Sequence, residues 1–370
     1  MNRIMLLALA LPLTLVACTY HVIDLGIHPG FDTSEPTGIN SFGQVSGFSS
    51  KNNGTFRRAF LFDTPGCTRI DVGAAVPEEA SSEAAAINDH AMVVGTFKRA
   101  DGRLRAFSFH QGVFRDLGGD DRLDQHALAV NKGGTIVGFQ SVPGLSTEEA
   151  VAYSNGAAVT FPTFVVVPPS GTAPVNRAAG IGEFGEVTGP LRVSGGSVLG
   201  MKYFPNLNRW FQIRAASPHP LLPDFDKVMQ PRAINAKGNV TGTIGSAVPH
   251  AFLSRNHFEP TQDLGTLDPA HPEWFSVANG LNGSARVVGV AQTAADITAF
   301  LYNGTTMIDL NTRLDGTGWR LIGAVAINDK GQIAAQGSFN NGPRRAVLLV
   351  PVGLFGSIGL VCPPVFVEGQ

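Results

Sequence analysis

The sequence predicts an all-β fold: a seven-bladed β-propeller of four-stranded antiparallel blades, with the ring closed by the N-terminal strand. Three observations predict it. A four-residue marker recurs seven times, the same strand and turn residues follow each copy, and the two chain ends are out of phase with the repeat in complementary ways.

The marker is clearest at Ala85-Ala86-Ile87-Asn88, Arg232-Ala233-Ile234-Asn235 and Val325-Ala326-Ile327-Asn328, with looser copies ending at Asn40, Asn131, Gly182 and Asn282. Successive markers are 48, 43, 51, 53, 47 and 46 residues apart, the size of one four-stranded blade. Three residues on stands Gly43, Ala91, Gly134, Gly185, Gly238, Ala285 or Gly331. Asn followed by Gly at that spacing suits a type I turn, through the Asx hydrogen bond and a left-handed residue. A valine-rich second strand follows, as in Met92-Val93-Val94-Gly95. The third strand carries a small residue and an aromatic, read at Ala59-Phe60, Ala106-Phe107, Ala152-Tyr153, Ala251-Phe252 and Ala299-Phe300. Asn155-Gly156 and Asn303-Gly304 then mark tight hairpins. The fourth strand ends in Asp71-Val72-Gly73, Asp116-Leu117-Gly118, Asp263-Leu264-Gly265 or Asp309-Leu310-Asn311. Helices are expected to be scarce, because nothing after residue 18 sustains a capped 3.6-residue apolar period.

Asp24-Leu25-Gly26 precedes any marker, and the seventh repeat stops after its third strand, Arg345–Val350. A ring explains both: His21–Gly26 completes the last blade and leaves no sheet edge open. An open β-solenoid is the alternative.

This pattern, A-x-x-I-N-x-x-G-x-V-V-G, then His-Ala-Phe, then Asp-Leu-Gly, resembles the bacterial extracellular repeat proteins of the HAF family. His250-Ala251-Phe252 spells the motif once, and Arg58, Arg105, Thr298 or Arg345 takes the first position elsewhere. The fourth repeat departs most, with Gly182 for Asn and Lys202-Tyr203 read in place of Ala-Phe. The resemblance covers about residues 20–350 and implies secretion and a propeller-like fold. It brings no catalytic residues with it.

At the N-terminus Arg3 precedes an apolar stretch, Ile4–Ala17, which is shorter than the ~20 residues of a membrane span and reads as a secretory signal. Leu15-Val16-Ala17-Cys18 resembles the bacterial lipobox, in which the cysteine is lipidated. An ordinary signal peptide with a chance cysteine is the alternative. Thr19 in place of Asp makes the resemblance favour the outer membrane over the inner one. The expected division is 1–17 signal peptide, 18–351 propeller and 352–370 tail, with the chain secreted, lipid-anchored and monomeric.

A net charge of −2 and only 15% charged residues supply no basic stripe, which excludes a nucleic-acid partner. Three cysteines are too few for a disulfide framework or a four-cysteine zinc site. With Cys18 lipidated, Cys67 and Cys362 are left to form a bridge, two free thiols being the alternative. Gly180-Ile181-Gly182-Glu183-Phe184-Gly185 matches a dinucleotide fingerprint, but a strand follows it where a helix is needed. No cofactor is expected.

Two segments carry candidate ligand residues. Asp120, Asp121, Asp124 and His126 could hold a hard cation or pair a base with a histidine, or form a solvated loop. Residues 205–230, with Trp210, His219, Asp224 and Asp226, read as a binding loop or as filler at a degenerate blade edge. Trp274 invites a stacking role, although its register with Trp319 favours packing between blades. The inner strands are dominated by Ala, Ile and Asn, which favours a binding or scaffold module for an envelope or extracellular glycan, peptide or protein. An envelope hydrolase or lyase with a site at the channel mouth is the alternative. The turns of Asn-x-x-Gly and Asn-Gly type fall on one face, and the long variable loops fall on the other.

Overall fold

A computed structural model describes residues 19–353, apart from 65, 78–79, 145–147, 155, 163, 167–170, 174–175, 194–196, 216–226 and 256–258. Seven four-stranded antiparallel sheets form the ring. The inner strands are Thr33–Ile39, Ser82–Ile87, Asp124–Val130, Gly180–Ile181, Met229–Ile234, Ser276–Leu281 and Trp319–Ile327, for blades one to seven. Among the described residues the only helices are two 3-10 turns, Val72–Ala75 and Leu310–Arg313. A small hairpin that the repeat did not foretell, Phe164–Val166 with Gly171–Ala173, lies between blades three and four.

The ring closes as expected. Tyr20–Asp24 pairs antiparallel with Arg344–Pro351, from Tyr20 opposite Pro351 to Asp24 opposite Val347. Ile23 and Leu25 are buried with Val45 and Phe60 of blade one and with Ala346 and Leu348 of blade seven. One apolar cluster thus holds three chain segments together across the seam.

The marker asparagines do more than make turns. Each side-chain Oδ1 accepts from main-chain nitrogens of its own turn, as Asn88 does from His90 and Met92, both at 3.0 Å. Each Nδ2 then donates to the marker carbonyl of the next blade. Asn40 reaches Asn88 O at 3.1 Å, Asn88 reaches Asn131 O at 3.0 Å and Asn131 reaches Gly182 O at 3.2 Å. The series resumes from Asn235 to Asn282 at 2.8 Å and from Asn282 to Asn328 at 3.2 Å. Buried amides with both ends bonded specify neighbour and register together. Gly182 has no side chain to give, so the series is broken between blades four and five. There Lys202, itself buried, donates Nζ to Gly238 O at 2.8 Å across the same seam. Burial lowers the Lys202 pKa, with Glu186 opposing.

The second-strand glycines answer to a bulge. Each inner strand of blades one, two, three, five and six carries an extra residue, for example between Ala84 and Ala86. The bulge drives a strand-one carbonyl toward strand two. A Cβ on Gly95 would stand 2.0 Å from Glu83 O, and one on Gly138 1.8 Å from His126 O. Blade seven holds Ala335 there and has two bulges in its inner strand.

Opposite these glycines sit Phe60, Phe107, Phe252 and Phe300, each at most 1% exposed. In blades three and four the residues opposite Gly138 and Gly189 are Val151 and Met201. The third-strand motif is therefore Ala150-Val151 and Gly200-Met201. The readings Ala152-Tyr153 and Lys202-Tyr203 are two residues out of register. Side chains two apart share a face, so an aromatic in the wrong place kept the pattern plausible.

Five blades join the residue before the small-aromatic pair to the fourth-strand aspartate. Arg58 Nε meets Asp71 Oδ2 at 2.9 Å, Arg105 Nη2 meets Asp116 Oδ1 at 3.3 Å, and Arg345 Nη1 meets Asp24 Oδ2 at 2.7 Å. His250 Nδ1 lies 3.1 Å from Asp263, and Thr298 Oγ1 donates to Asp309 at 2.7 Å. This pairing is why the two halves of the repeat motif travel together.

Candidate functional site

The inner strands surround an axial cavity of about 740 Å³, within the range of small-molecule pockets. Its wall is layered by the marker repeat. Next to each asparagine comes an aliphatic residue, such as Ile39, Ile87 or Ile234. One step further is a glycine or alanine, which the neighbouring blade requires. A Cβ on Gly280 would stand 2.8 Å from Val325 O and 3.0 Å from the Ala326 Cα.

The third step is the bulged residue. It is unpaired in the ladder, which frees its side chain from the two-residue alternation. Thr37, Ala85, Arg232, Asn279 and Val325 hold this place and line the cavity, with Leu128 and Ala179. It is also the position at which the seven otherwise similar markers differ in chemistry.

Three charged side chains reach the wall: Glu83, Arg177 and Arg232. Glu83 forms an ion pair with Arg57. Arg177 donates Nε to Glu148 Oε2 at 2.6 Å, with a second bond between the same partners, and its guanidinium lies 4.7 Å from the Phe139 ring centre. Arg232 differs. Its Nη1 donates to Asn279 Oδ1 at 3.2 Å, and Asn279 is itself oriented by donating Nδ2 to Ala324 O at 2.9 Å. Among the described residues no carboxylate pairs with Arg232. The protein around it lowers its pKa by desolvation, although its side chain is open to the bore.

The acidic segment between blades two and three is internally satisfied. Asp120 is held by Arg122 at 2.6 Å, and that side-chain hydrogen bond draws its carboxyl down to about 2. Asp121 bridges Arg99 at 2.9 Å and Arg105 at 3.0 Å. Asp124 Oδ1 accepts from Leu104 N at 3.0 Å. His126 stacks flat on Phe139 at 4.3 Å, and burial lowers its pKa. No group of His, Cys, Asp and Glu among the described residues has metal-binding geometry.

Trp210 is 2% exposed in the core of blade four, edge-on to Phe161 and tilted against Tyr203. It is a packing residue, which corrects its reading as a loop ligand. Trp274 is half-buried and stacks on His271 at 4.2 Å. His219, Asp224 and Asp226 lie outside the described residues, as do Cys18 and Cys362. Cys67 is engaged in a disulfide. The sequence reading missed the axial wall residues. Their signal was the variable third step before each marker, where a charge in one copy stands against alanine or valine in others.

No family model matches the chain, and no curated protein resembles it. Similar solved structures are propellers. A puromycin-hydrolysing peptidase of Mycobacterium tuberculosis is 11% identical with a TM-score of 0.52, over 86% of this chain and 53% of that one. This chain therefore spans about half of the peptidase. The β-propeller domain of the Trilobed protease of Pyrococcus furiosus is 9% identical with a TM-score of 0.51, over 88% and 99%. A lectin of Burkholderia pseudomallei, BP39L, is 11% identical with a TM-score of 0.42. At these identities the likeness to the first two extends to the propeller fold alone, which this chain builds from seven blades.

Proposed function

We propose that this chain is a secreted binding module, held at the bacterial envelope by a lipid on Cys18 and recognising a small molecule, glycan or peptide through its propeller. The observation that carries the reading is the axial wall. A repeated scaffold supplies a cavity of ligand size, its bulge position varies in chemistry from blade to blade, and two of its three charged groups are already neutralised by neighbours. A hydrolase or lyase would use converging acid, base and nucleophile groups, and the pairs at Glu83 and Arg177 serve structure instead. Membership of the HAF-like extracellular repeat proteins and a monomeric state belong to this proposal.

The test uses the full chain expressed in a Gram-negative host. Palmitate labelling and recovery in the outer-membrane fraction support the anchor, and both should vanish in Cys18→Ala. The purified protein is then screened on glycan and peptide arrays and, in parallel, against fluorogenic glycosides, esters and peptides. Saturable binding without turnover supports the module. Turnover that tracks the protein through purification would favour the envelope hydrolase or lyase instead.

A further inference from the structure

The axial cavity holds a built but unneutralised cation, and we propose that it binds a small organic carboxylate with an apolar body, the carboxylate meeting Arg232. The inference rests on the binding-module reading and narrows it to one site and one class of ligand.

Three observations lead there. First, Arg232 occupies the bulged position of blade five, where the extra residue turns its side chain into the bore. Second, its partner is a neutral amide. Asn279, the bulged residue of blade six, accepts one guanidinium N–H, and its own Nδ2 is anchored on Ala324 O. The guanidinium is thereby held in place while its charge stays uncompensated. Five donors in a planar fork leave room for a bidentate carboxylate beside the bond to Asn279. Third, the other two charges of the wall are each closed off in a pair, Glu83 with Arg57 and Arg177 with Glu148. Among the described residues the cavity therefore carries one net positive charge, at Arg232.

The rest of the wall sets the body of the ligand. Ile39, Leu128, Ile234, Leu281 and Val325 line the same cavity as Arg232 and offer apolar contact. An acyl or aryl carboxylate would set its charge on Arg232 and its body on these aliphatic side chains. The cavity, about 740 Å³, is ample for a ligand of that kind.

The test is isothermal titration of the full-length protein with 4-phenylbutyrate, with its uncharged amide, and with inorganic phosphate. The expected result is one phenylbutyrate per chain, with the amide at least about tenfold weaker, as for loss of a charge-assisted hydrogen bond. Phosphate should bind more weakly than phenylbutyrate, because it makes no apolar contact. Arg232→Gln should bring phenylbutyrate down to the level of the amide. Ala85→Phe, which fills the bore from blade two and leaves Arg232 intact, should abolish binding of both. Both variants are to be compared with wild type by urea midpoint, so that loss of the fold is seen separately. Equal affinity for acid and amide, unchanged affinity in Arg232→Gln, phosphate binding as tight as phenylbutyrate, or no phenylbutyrate binding would each overturn the assignment. None of those results touches the wider binding reading, which the array experiment judges on its own ligands.

Discussion

The side-chain amide of Asn328 donates to the main-chain carbonyl of Asn40 at 2.9 Å, between residues 288 positions apart. This bond joins blade seven to blade one at the seam where the ring closes. The same contact links every other pair of neighbouring blades except four and five. Blade order is therefore specified at the axis by hydrogen bonds, and away from it by apolar clusters shared between adjacent sheets.

The gap in that series makes the first prediction. Lys202→Met removes the bond to Gly238 O and should cost about 1.5–3 kcal/mol, as for a hydrogen bond to a charged group. Gly182→Asn in the same background should recover about 1 kcal/mol, because Asn235 O lies within 3.5 Å of the Cβ that would be added. The Glu186 carboxylate stands 3.0 Å from that Cβ and, as the end of a flexible side chain, can move aside. Urea midpoints of the two single variants and the double variant measure both effects. An additive loss in the double variant would show that the asparagine link does not replace the lysine.

Two turns use alanine where the backbone asks for glycine. Ala91 and Ala285 have φ of 57° and 58°, the left-handed conformation that Gly43, Gly134, Gly185, Gly238 and Gly331 adopt at the same step. A Cβ there costs about 1–2 kcal/mol, and glycine returns part of it in chain entropy. Ala91→Gly and Ala285→Gly should each stabilise by about 1 kcal/mol or slightly less. Both alanines touch apolar clusters, so a net loss on substitution would mean that packing outweighs strain.

In blade five His250 takes the place before the small-aromatic pair, from which blades one, two and seven meet the fourth-strand aspartate with arginine. Burial pulls its pKa down, but the hydrogen bond and charge of Asp263, with the carbonyls of Pro272 and Trp274, raise it overall. A folded pKa above the unfolded value of about 6.5 stabilises the protein fully below that value. The contribution fades as pH rises through the folded pKa. His28 and His126 have lowered values and act in the opposite sense, so the readout must be a difference. The stability of wild type relative to His250→Gln should be greatest near pH 6 and shrink toward pH 8. A pH-independent difference would mean that folding leaves the imidazole pKa unshifted, and a difference that grew toward pH 8 would mean that the fold holds it neutral.

Much of this architecture was legible in the sequence because its devices repeat. Asn and Gly at fixed steps and the Asp-Leu-Gly ends fixed the blade count, the order of strands and the closure by Tyr20–Asp24. What repetition could not reveal was anything carried between copies. The asparagine bonds run from one blade to the next, and a single repeat offers no hint of its acceptor. The third strands of blades three and four slipped by two residues because Tyr153 and Tyr203 share a face with the true positions, Val151 and Met201. Trp210 looked like a loop residue because blade four lacks the markers that would have placed it on an outer strand. Arg232 and Asn279 were hidden for the opposite reason: they occupy the variable step, and a bulge is invisible until pairing is known.

The last prediction concerns orientation at the membrane. Strand direction places Tyr20 at the face of the short turns, where it pairs with Pro351 at the end of a third strand. Only Thr19 separates Tyr20 from Cys18, and two extended residues span roughly 7 Å. A lipid on Cys18 would therefore hold the short-turn face against the bilayer. The same face presents Phe42 at 58% exposure, Phe184 at 78% and Leu207 at 57%, side chains suited to the headgroup boundary. Around them the exposed Lys132, Lys237 and Lys330 can meet anionic headgroups. The long-loop face, where Lys51 and Lys98 end second strands, would point away. Amine-reactive labelling of the lipidated protein, free in detergent and on liposomes containing anionic lipid, reads this directly. Lys132, Lys237 and Lys330 should lose most of their reactivity on liposomes while Lys51 and Lys98 keep theirs. Phe42→Ser with Phe184→Ser should restore labelling of the turn lysines in part, because the lipid then tethers the face without seating it. Protection of Lys51 and Lys98 with the turn lysines left reactive would reverse the orientation. Equal reactivity at all five would mean that the propeller hangs from its anchor with no preferred face.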